Sequence, residues 1–546
     1  MILRTLFLSA LAWLFFLPTA GATTFYLDPI NGSMANTGTA NSPWGSLESV
    51  IAQGLIESFR YSPLPYGPVG SSLIPKNANA PVKAGDTLML RSGLHGDIFL
   101  QNYNNPIPIF VMAEPGHTPI LKTLKLQASS KWHFEGLEIS SEPYGTYIAG
   151  SLVYFETHNW QGPSSHIEIR DCSVYSAAVP WADSSSWITK ASNGIYLREA
   201  DSVRIINNRV SNVDMGILCW GDYCEVIGNE VANFSGDGMR ILGSYGLYEG
   251  NTIKNCYDVD DNHDDGIQSY TTNGLVVDYN IVRGNTIINY EDPNQPLVGP
   301  LQGIGCFDGF YNNWIVENNL IVVNHWHGIT FLGANNCLIR NNTVLDPTPN
   351  ITPGASWIRI DDHKNGQPST GCVVKNNVAN QFVVDGTLSN NQVLSNYAAY
   401  QANFLDYANT DFHLLPGSVL IDAAETSSAP SVDLDGTIRP QGPEADIGCY
   451  EWVDALGTAE EEIKDAGIQI YPNPGPGLLQ LAFDKKQSII RITVITSNGQ
   501  RLKTIIYRET ERAELDLSQL PEGLYFLHII LPDSGVRAVR SLVLER

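Results

Sequence analysis

The chain has 546 residues, 57 of them acidic and 32 basic, and its formal net charge is −25. A chain of this length is too long to fold around one ordinary hydrophobic core, so we expect more than one domain. Phosphate binding needs clustered Lys and Arg, so an acidic chain is not expected to bind nucleic acid. It would also repel an acidic polysaccharide unless a cation lay between the two.

Residues 1–22 have the pattern of a signal peptide. Arg4 supplies a positive start, an apolar run extends from Leu6 to Leu17, and Ala20-Gly21-Ala22 fits a small-residue cleavage site. No later stretch reaches the roughly 18 apolar residues that a membrane-spanning helix needs. We therefore expect an exported protein, either secreted or at the cell surface, without a membrane span.

A repeat dominates residues 161–400. Seven short phrases share one asparagine flanked by Val or Ile, and these asparagines are Asn208, Asn229, Asn251, Asn285, Asn319, Asn342 and Asn377. The smallest intervals are about 21 to 22 residues, and the longer ones are consistent with that unit plus a loop. Stacked asparagines can hydrogen-bond to one another from turn to turn, which explains why Asn recurs there.

A second phrase precedes each asparagine except the last, as in Asn193-Gly194-Ile195 and Asp265-Gly266-Ile267, and in the last turn SWIRIDD takes its place. The phrase is a short alternating segment after a glycine, which is typical of a strand with one buried face. A unit of about 22 residues cannot bury an apolar face alone, but stacked units can. The sequence therefore predicts an all-β fold whose main body, residues 23–452, is a right-handed parallel β-helix solenoid.

Three parts of this solenoid are distinguished. Residues 23–160 are the entry turns, and their FYLDPINGS and NSPWGSLESVI phrases resemble the start of exported β-helix polysaccharide lyases and epimerases. Residues 161–400 are the regular turns. Residues 401–452 resemble the closing segment of such proteins, and the last turn needs a cap because it otherwise exposes strand edges.

The C-terminal part is separate. Residues 453–467 are predicted to be an acidic linker, and residues 468–546 a small β-sandwich. The Tyr471-Pro472-Asn473-Pro474 stretch, the Asn498-Gly499 turn and Gly523-Leu524-Tyr525 resemble the C-terminal sorting domain of type IX secretion cargo. That resemblance implies the type IX secretion machinery as a partner and a location outside the cell.

Side chains alternate along a strand, so phasing the turns on the glycine predicts three outward-facing columns. The first contains Asp237, Asp265, Gln302 and His327. The second contains Arg240, Gln268, Gly305, Thr330 and Arg359. The third contains Trp220, Tyr270 and Phe307. Polar and aromatic side chains on such a surface suit an extended glycan, and the predicted substrate-binding residues are Trp220, Gln268, Gln302, Phe307, His327 and Arg359.

The richest segment is YDVDDNHDDGIQSY, residues 257–270, which has five carboxylates around His263. Such a cluster repels itself, and oxygen ligands in a loop favour calcium. The predicted ligands are Asp237, Asp261, Asp264 and Asp265. A solvated acidic loop and direct acid–base catalysis are the alternatives.

These residues resemble the site residues of two enzyme families that have this fold. Calcium-dependent β-helix pectate lyases carry an Asp-Asp-Gly-x-Asp motif with a further Asp one turn earlier, which Asp264, Asp265 and Asp237 match. Gln268 stands where that family has its last Asp, and the family's Lys base has no counterpart here. Polygalacturonases combine paired Asp with Gly-His-Gly and Arg-Ile-Lys turns, and they resemble this chain at Asp264-Asp265, His327-Gly328 and Arg359-Ile360.

Three functions remain open at this stage. The leading one is a polysaccharide lyase, grouped with epimerases, that acts on a uronic-acid-containing glycan with calcium or Arg240 neutralising the substrate. Its base is predicted among His263, Tyr270 and Arg240. The second is a glycoside hydrolase with Asp237, Asp264 and Asp265 as acid and base. The third is a non-catalytic surface glycan binder. In each case the expected partner is an extracellular, acidic polysaccharide and the protein is expected to be a monomer.

Overall fold

The architecture was analysed on a computed structural model, which describes residues 22–271, 274–453, 468–496, 501–531 and 536–545. Nearly all of the predicted signal peptide and linker lie outside the described residues. The main body consists of parallel strands that form three walls, here called the front, back and side walls. Each coil passes from the front wall to the back wall, then to the side wall, and returns to the front.

The front wall is the surface on which the predicted site lies. Its strands are Gly93–Gln101, Pro119–Gln127, Ser151–Glu156, Asn193–Arg198, Ile217–Trp220, Met239–Ile241, Asp264–Tyr270, Leu301–Asp308, His327–Leu332, Trp357–Asp361 and Gln381–Val384.

The other two walls complete each coil. The back-wall strands are Thr24–Leu27, Thr87–Leu90, Asn104–Ala113, Ser130–Glu135, Ser165–Arg170, Arg204–Ile206, Glu225–Ile227, Leu247–Glu249, Ile281–Arg283, Ile315–Glu317, Leu338–Arg340, Val373–Lys375 and Thr387–Ser389. The side-wall strands are Glu138–Ile139, Ser173–Tyr175, Arg209–Val213, Glu230–Phe234, Thr252–Cys256, Thr286–Ile288, Leu320–Val322, Thr343–Leu345, Val378–Ala379 and Gln392–Val393.

Smaller elements flank the walls. An antiparallel pair, Ser58–Ser62 with Ser72–Lys76, is attached to the back wall, and a short parallel sheet joins Val276–Asp278, Phe310–Asn312 and Ala334–Asn335. The closing segment carries the pair Phe404–Asp406 and Asp411–Leu414. The helices are Leu47–Ala52, Ser184–Lys190 and Tyr397–Asn403, with 3₁₀ turns at Glu142–Tyr144, Tyr407–Asn409 and Thr426–Ser428.

One continuous apolar core fills the solenoid. The residues after each glycine of the front-wall phrase point inward, as Ile217, Ile267, Ile304 and Ile329 do, and all four are fully buried. All eight cysteines are buried and unpaired. The all-β parallel solenoid predicted from the repeat is confirmed.

The C-terminal domain has a separate core. Its strands are Gln469–Tyr471, Leu478–Thr496, Arg501–Asp516, Gly523–Leu531 and Val536–Leu544, and they pair antiparallel. The pairing of the two longest strands is interrupted between Ala482 and Gln487. The predicted small C-terminal β domain is therefore confirmed.

The predicted asparagine ladder connects the coils. The side-chain oxygen of Asn285 accepts hydrogen bonds from the backbone N–H and the side-chain amide of Asn251, at 3.0 and 2.9 Å. The side-chain amide of Asn285 in turn donates to Tyr248 O and to the side-chain oxygen of Asn319. The residue before Asn285 is Gly284, with a φ of +61°, and such a left-handed residue precedes each ladder asparagine from Asn208 to Asn377. The turn at this left-handed residue thus also places the side-chain amide of the following asparagine inside the ladder.

Replacing Asn285 by Ala should strongly destabilise the solenoid. The change leaves the backbone N–H and the amide of buried Asn251 without their acceptor, and an orphaned buried polar group costs about 1–3 kcal/mol. We expect the free energy of unfolding to fall by about 3 kcal/mol, measured by chemical denaturation. The control is Asn294→Ala in an exposed loop. An equal effect of the two substitutions would contradict a structural role for the ladder.

Candidate functional site

The register of the front wall stacks the predicted site residues. Arg240 pairs with Gln268, and the same row continues through Gly305, Thr330 and Arg359. In the neighbouring row Asp265 pairs with Gln302, and the backbone N–H of Asp265 donates to Asp237 Oδ1 at 3.0 Å. The predicted stacking of Asp237 over Asp265 on one wall is thus confirmed, but both side chains are buried instead of exposed on the surface.

The third column needs a correction at Phe307. A bulge shifts the register between Ser269 and Tyr270, so that Tyr270 pairs with Asp308. The ring of Phe307 instead lies over Gly305, where a Cβ atom would approach the ring to 2.5 Å, and it contacts the His327 ring at 4.8 Å. A side chain at position 305 would therefore displace Phe307 from the centre of the wall.

Asp237 is engaged on both of its carboxylate oxygens. Its Oδ2 accepts a short hydrogen bond from Arg240 Nε, and its Oδ1 accepts the backbone N–H of Asp265. The residue is 1% exposed. Burial raises the pKa of Asp237, and the adjacent Arg240 guanidinium opposes this change. Asp237 therefore anchors Arg240, which also lies against the Tyr270 ring at 5.7 Å.

Asp265 holds His263 at the surface. Asp265 Oδ2 accepts from Gln268 Nε2 at 2.9 Å and lies 3.1 Å from His263 Nδ1, whereas its Oδ1 is buried without a hydrogen-bond partner among the described residues. Burial raises the pKa of Asp265 to about 7, and the hydrogen bond to Asp265 raises the pKa of His263. The Asp265 side chain is 0% exposed but that of His263 is 57% exposed. An accessible imidazole is thus supported by a buried carboxyl.

Asp264 faces away from this pair. It pairs with the core residue Leu301, and its Oδ2 accepts from the Cys256 thiol at 3.3 Å. Burial raises the pKa of Asp264 to about 8. Asp261 lies exposed in the preceding loop. The four predicted calcium ligands are consequently not brought together, because neighbouring residues of a strand point to opposite sides.

A different acidic group converges near the C-terminal end of the front wall. Asp361, Asp362 and Asp385 have carboxylate oxygens within 4.8 Å of one another, and this is the one group of possible metal ligands that fits among the described residues. Asp361 is already paired with Arg359, whose guanidinium also lies over the Trp357 ring at 5.3 Å. Calcium itself stays a prediction.

Two neutral histidines form the other half of the site. The indole N–H of Trp357, which can only donate, lies 3.1 Å from Thr330 Oγ1 and 3.3 Å from His327 Nδ1, and the Thr330 hydroxyl lies 2.9 Å from the same ring nitrogen. These contacts favour Nδ1 as the acceptor and Nε2 as the protonated nitrogen. His325 Nδ1 accepts the backbone N–H of His327 at 3.1 Å, which gives the same tautomer. Burial lowers the pKa of His325 to about 4 and that of His327 to about 3. Both rings are therefore uncharged hydrogen-bond donors at neutral pH.

The remaining predicted residues lie along the same wall. Gln302 is nearly buried, with its side-chain oxygen unpartnered among the described residues, and Trp220 is partly exposed two strands before Asp265. Sequence reasoning missed Trp357 because no glycine precedes it in its turn. The sequence did contain a signal for Trp357, because SWIRIDD takes the place of the glycine phrase in that turn. Its tryptophan pairs with His327.

Inserted loops form one rim of the front wall. Four of them lie between a side-wall strand and the following front-wall strand, at 176–192, 257–263, 289–300 and 346–356, whereas the loop 362–372 follows a front-wall strand and lies at the opposite edge. Neighbouring loops contact each other: the Tyr257 ring lies 4.6 Å from Trp187, and Asp258 N donates to Leu297 O at 2.8 Å. These four insertions therefore form one edge beside the catalytic candidates.

The comparisons with known proteins agree with this architecture. Residues 124–399 match the model of the right handed beta helix region, which is half of the chain, and the chain belongs to this family. Residues 469–543 match the secretion system C-terminal sorting domain, so the protein is type IX secretion cargo that is secreted or displayed at the cell surface. Among the described residues no helix is long and apolar enough to cross a membrane.

Solved structures that match this chain include a pectate lyase and two bacteriophage tailspike proteins. Pectate lyase Pel9A is 14% identical, with 80% of this chain and 98% of that chain covered and a TM-score of 0.39. The enzymatically active domain of tailspike protein 2 from bacteriophage CBA120 is 11% identical, with 85% and 72% covered and a TM-score of 0.26. Tailspike protein gp49 from Acinetobacter baumannii bacteriophage Fri1, a capsular polysaccharide depolymerase, is 10% identical, with 89% and 68% covered and a TM-score of 0.22. A search of curated proteins finds no match.

Replacing Asp237 by Asn tests the buried ion pair beneath the site. The change leaves the Arg240 guanidinium largely buried without its anion, and breaking such a pair costs about 3–5 kcal/mol. We expect a loss of about 3 kcal/mol in the free energy of unfolding. The control on the same wall is Asp308→Asn, which breaks the exposed pair with Lys364 and should cost less than about 1 kcal/mol. Similar losses in both variants would show that Asp237 is not the anchor.

Proposed function

We propose that the front wall cleaves a uronic-acid-containing polysaccharide by β-elimination, with His263 as the base. The observation that carries the proposal is the His263–Asp265 pair, in which an exposed imidazole is backed by a buried carboxyl. When the Nδ1–H of His263 donates a hydrogen bond to Asp265, the unprotonated Nε2 has a lone pair that can accept the substrate proton. Asp265 then stabilises the imidazolium that forms.

Elimination next to a uronic acid also requires that the charge of the substrate carboxylate is neutralised. Arg240 is connected to His263 through two carboxyls. Asp237 accepts from Arg240 Nε and from the Asp265 N–H, and Asp265 lies 3.1 Å from His263 Nδ1. Among the described residues only the Nε of Arg240 is hydrogen-bonded, to Asp237. The terminal N–H groups therefore remain to bind the carboxylate and to favour loss of the adjacent carbon-bound proton.

The leaving group needs a proton donor and the sugar ring needs orientation. Tyr270 lies against Arg240 and is assigned the role of the acid. His325 and His327 donate from uncharged Nε2–H groups to sugar hydroxyls, and Gln302 offers its unpartnered side-chain oxygen as an acceptor. Phe307 and Trp220 supply apolar surface for sugar rings.

A glycoside hydrolase is less well supported by the same contacts. That reaction needs two carboxyl groups facing the scissile bond, about 5 to 9.5 Å apart. Asp237 is engaged by Arg240, Asp264 faces Cys256 in the interior, and Asp265 is covered by His263. A pair of free carboxyls is thus missing at these three positions.

Calcium has no step in this proposal, because Arg240 supplies the neutralisation and the predicted ligands are engaged elsewhere. We expect activity to be unchanged by a chelator. Loss of activity on chelation, restored by added calcium, would instead support the calcium prediction made from the acidic loop.

The test is an ultraviolet absorbance assay for unsaturated products across a panel of uronans. Wild-type protein should release such products, and His263→Ala should reduce the rate by at least about 100-fold, since a positioned base contributes about 10²–10⁴-fold. His166→Ala removes an exposed histidine from the back wall and should leave the rate unchanged.

The products also separate the alternatives. New reducing ends without unsaturation would identify a hydrolase. Binding of a uronan without any cleavage would identify a glycan-binding protein. Full activity of His263→Ala would remove His263 as the base.

A further inference from the structure

A second concavity lies on the front wall, on the N-terminal side of the site. It has a volume of about 490 Å³ and spans four successive strands, from Gly93–Gln101 to Asn193–Arg198. Its lining includes Phe99, Lys125, Gln127, Tyr154, Asn193 and Tyr196. None of these residues has a part in the chemistry proposed above.

Its floor is a row of outward-facing side chains. Phe99 pairs with Lys125, Lys125 with Tyr154, and Tyr154 with Tyr196. The rings of Tyr154 and Tyr196 meet edge to face at 5.4 Å, and Phe99 is 49% exposed. Aromatic rings fixed at successive strand positions offer apolar faces for sugar rings and hydroxyl groups for their edges.

The concavity also has an uncompensated positive charge. One side is a hydrogen-bonded row in which Gln101 donates to Gln127, Gln127 to Glu156, and Arg198 to Glu156. The carboxylate in that row is thereby neutralised. Lys125 takes part in no ion pair among the described residues. In a chain with a net charge of −25, this isolated ammonium group favours an anionic ligand.

The concavity is continuous with the proposed site. The row Phe99, Lys125, Tyr154 and Tyr196 continues through Leu218 to Arg240. Lys125 and Arg240 are four strand spacings apart, about 19 Å at about 4.8 Å each. One spacing is close to the length of one unit in an extended glycan, so a chain of about five units would reach both cations.

We infer that this concavity is a distal subsite that binds a carboxylate-bearing sugar of the same chain, and that it makes the protein select long uronans over short ones. The inference rests on the proposed function for how the glycan lies along the front wall, but what it claims is the binding of the glycan and not its cleavage. Lys125 pairs with the sugar carboxylate, and Tyr154 and Tyr196 contact the sugar rings. A short oligosaccharide can occupy only one of the two positions.

The test measures the binding of oligouronates of disaccharide and octasaccharide length by calorimetry, with the full secreted chain and under conditions without turnover. Lys125→Ala should weaken octasaccharide binding about tenfold, because a charge-assisted hydrogen bond is lost, and should leave disaccharide binding at the Arg240 position unchanged. Tyr196→Ala should act in the same direction, whereas Tyr196→Phe, which keeps the ring, should have a smaller effect.

Two controls isolate the charge. Lys131→Ala removes the same charge from the back wall and should not change binding. An octasaccharide whose carboxyl groups have been reduced to alcohols should bind wild type and Lys125→Ala equally. Correct folding of each variant is verified by its unfolding midpoint.

The outcomes separate this inference from the proposed function. If the octasaccharide binds the Lys125 and Tyr196 variants as tightly as wild type, the distal subsite is wrong, even if the protein is a lyase. If wild type binds both lengths equally, it is also wrong. If binding depends on length and on Lys125 but no uronan is cleaved, the subsite stands and the elimination chemistry fails.

Discussion

From Asn208 to Asn377, each regular coil of the solenoid is fixed to the next by a buried asparagine whose side chain serves two coils at once. Asn251 and Asn285 illustrate this, because the oxygen of the latter satisfies both the backbone and the side-chain amide of the former. A shift of one residue in any coil would leave these buried groups unpaired and turn every outward side chain inward. The chemistry of the front wall depends on this register, since its residues come from different coils and meet only when the coils are aligned.

The buried carboxylates of the front wall have different roles, which depend on the partner that each one contacts. Asp237 is held beside Arg240 and positions that guanidinium, whereas Asp265 supports His263. Asp264 lies on the inner side of the strand next to Cys256. The exposed groups at the centre of the wall are consequently imidazole, guanidinium and aromatic rings rather than carboxylates. An anionic polymer can approach such a surface although the whole chain repels it.

The shape of the front wall favours a polymer over a small ligand. The coil spacing repeats one outward position about every 4.8 Å, so a row of side chains follows an extended glycan unit by unit. The inserted loops rise along one edge of this row, and the loop that carries His263 is one of them. Four of the insertions that lengthen the repeat lie at this edge, which links much of the irregularity in repeat length to the site.

The sequence alone determined the solenoid, its sorting domain, the ladder and the identity of the wall that carries Asp237, Asp265 and Arg240. The solenoid, the ladder and the wall follow from periodicity and the sorting domain from its resemblance at short motifs, and neither source needs knowledge of contacts between distant residues. Only the tertiary structure decided which partner each polar group has. The bulge that moves Phe307 out of line with Tyr270 and the contact between His327 and Trp357 depend on how adjacent coils pack. The position of Lys125 was also not predicted from the sequence, because the entry turns lack the glycine phrase that marks the later strands. Only the pairing of strands places Lys125 in line with Arg240.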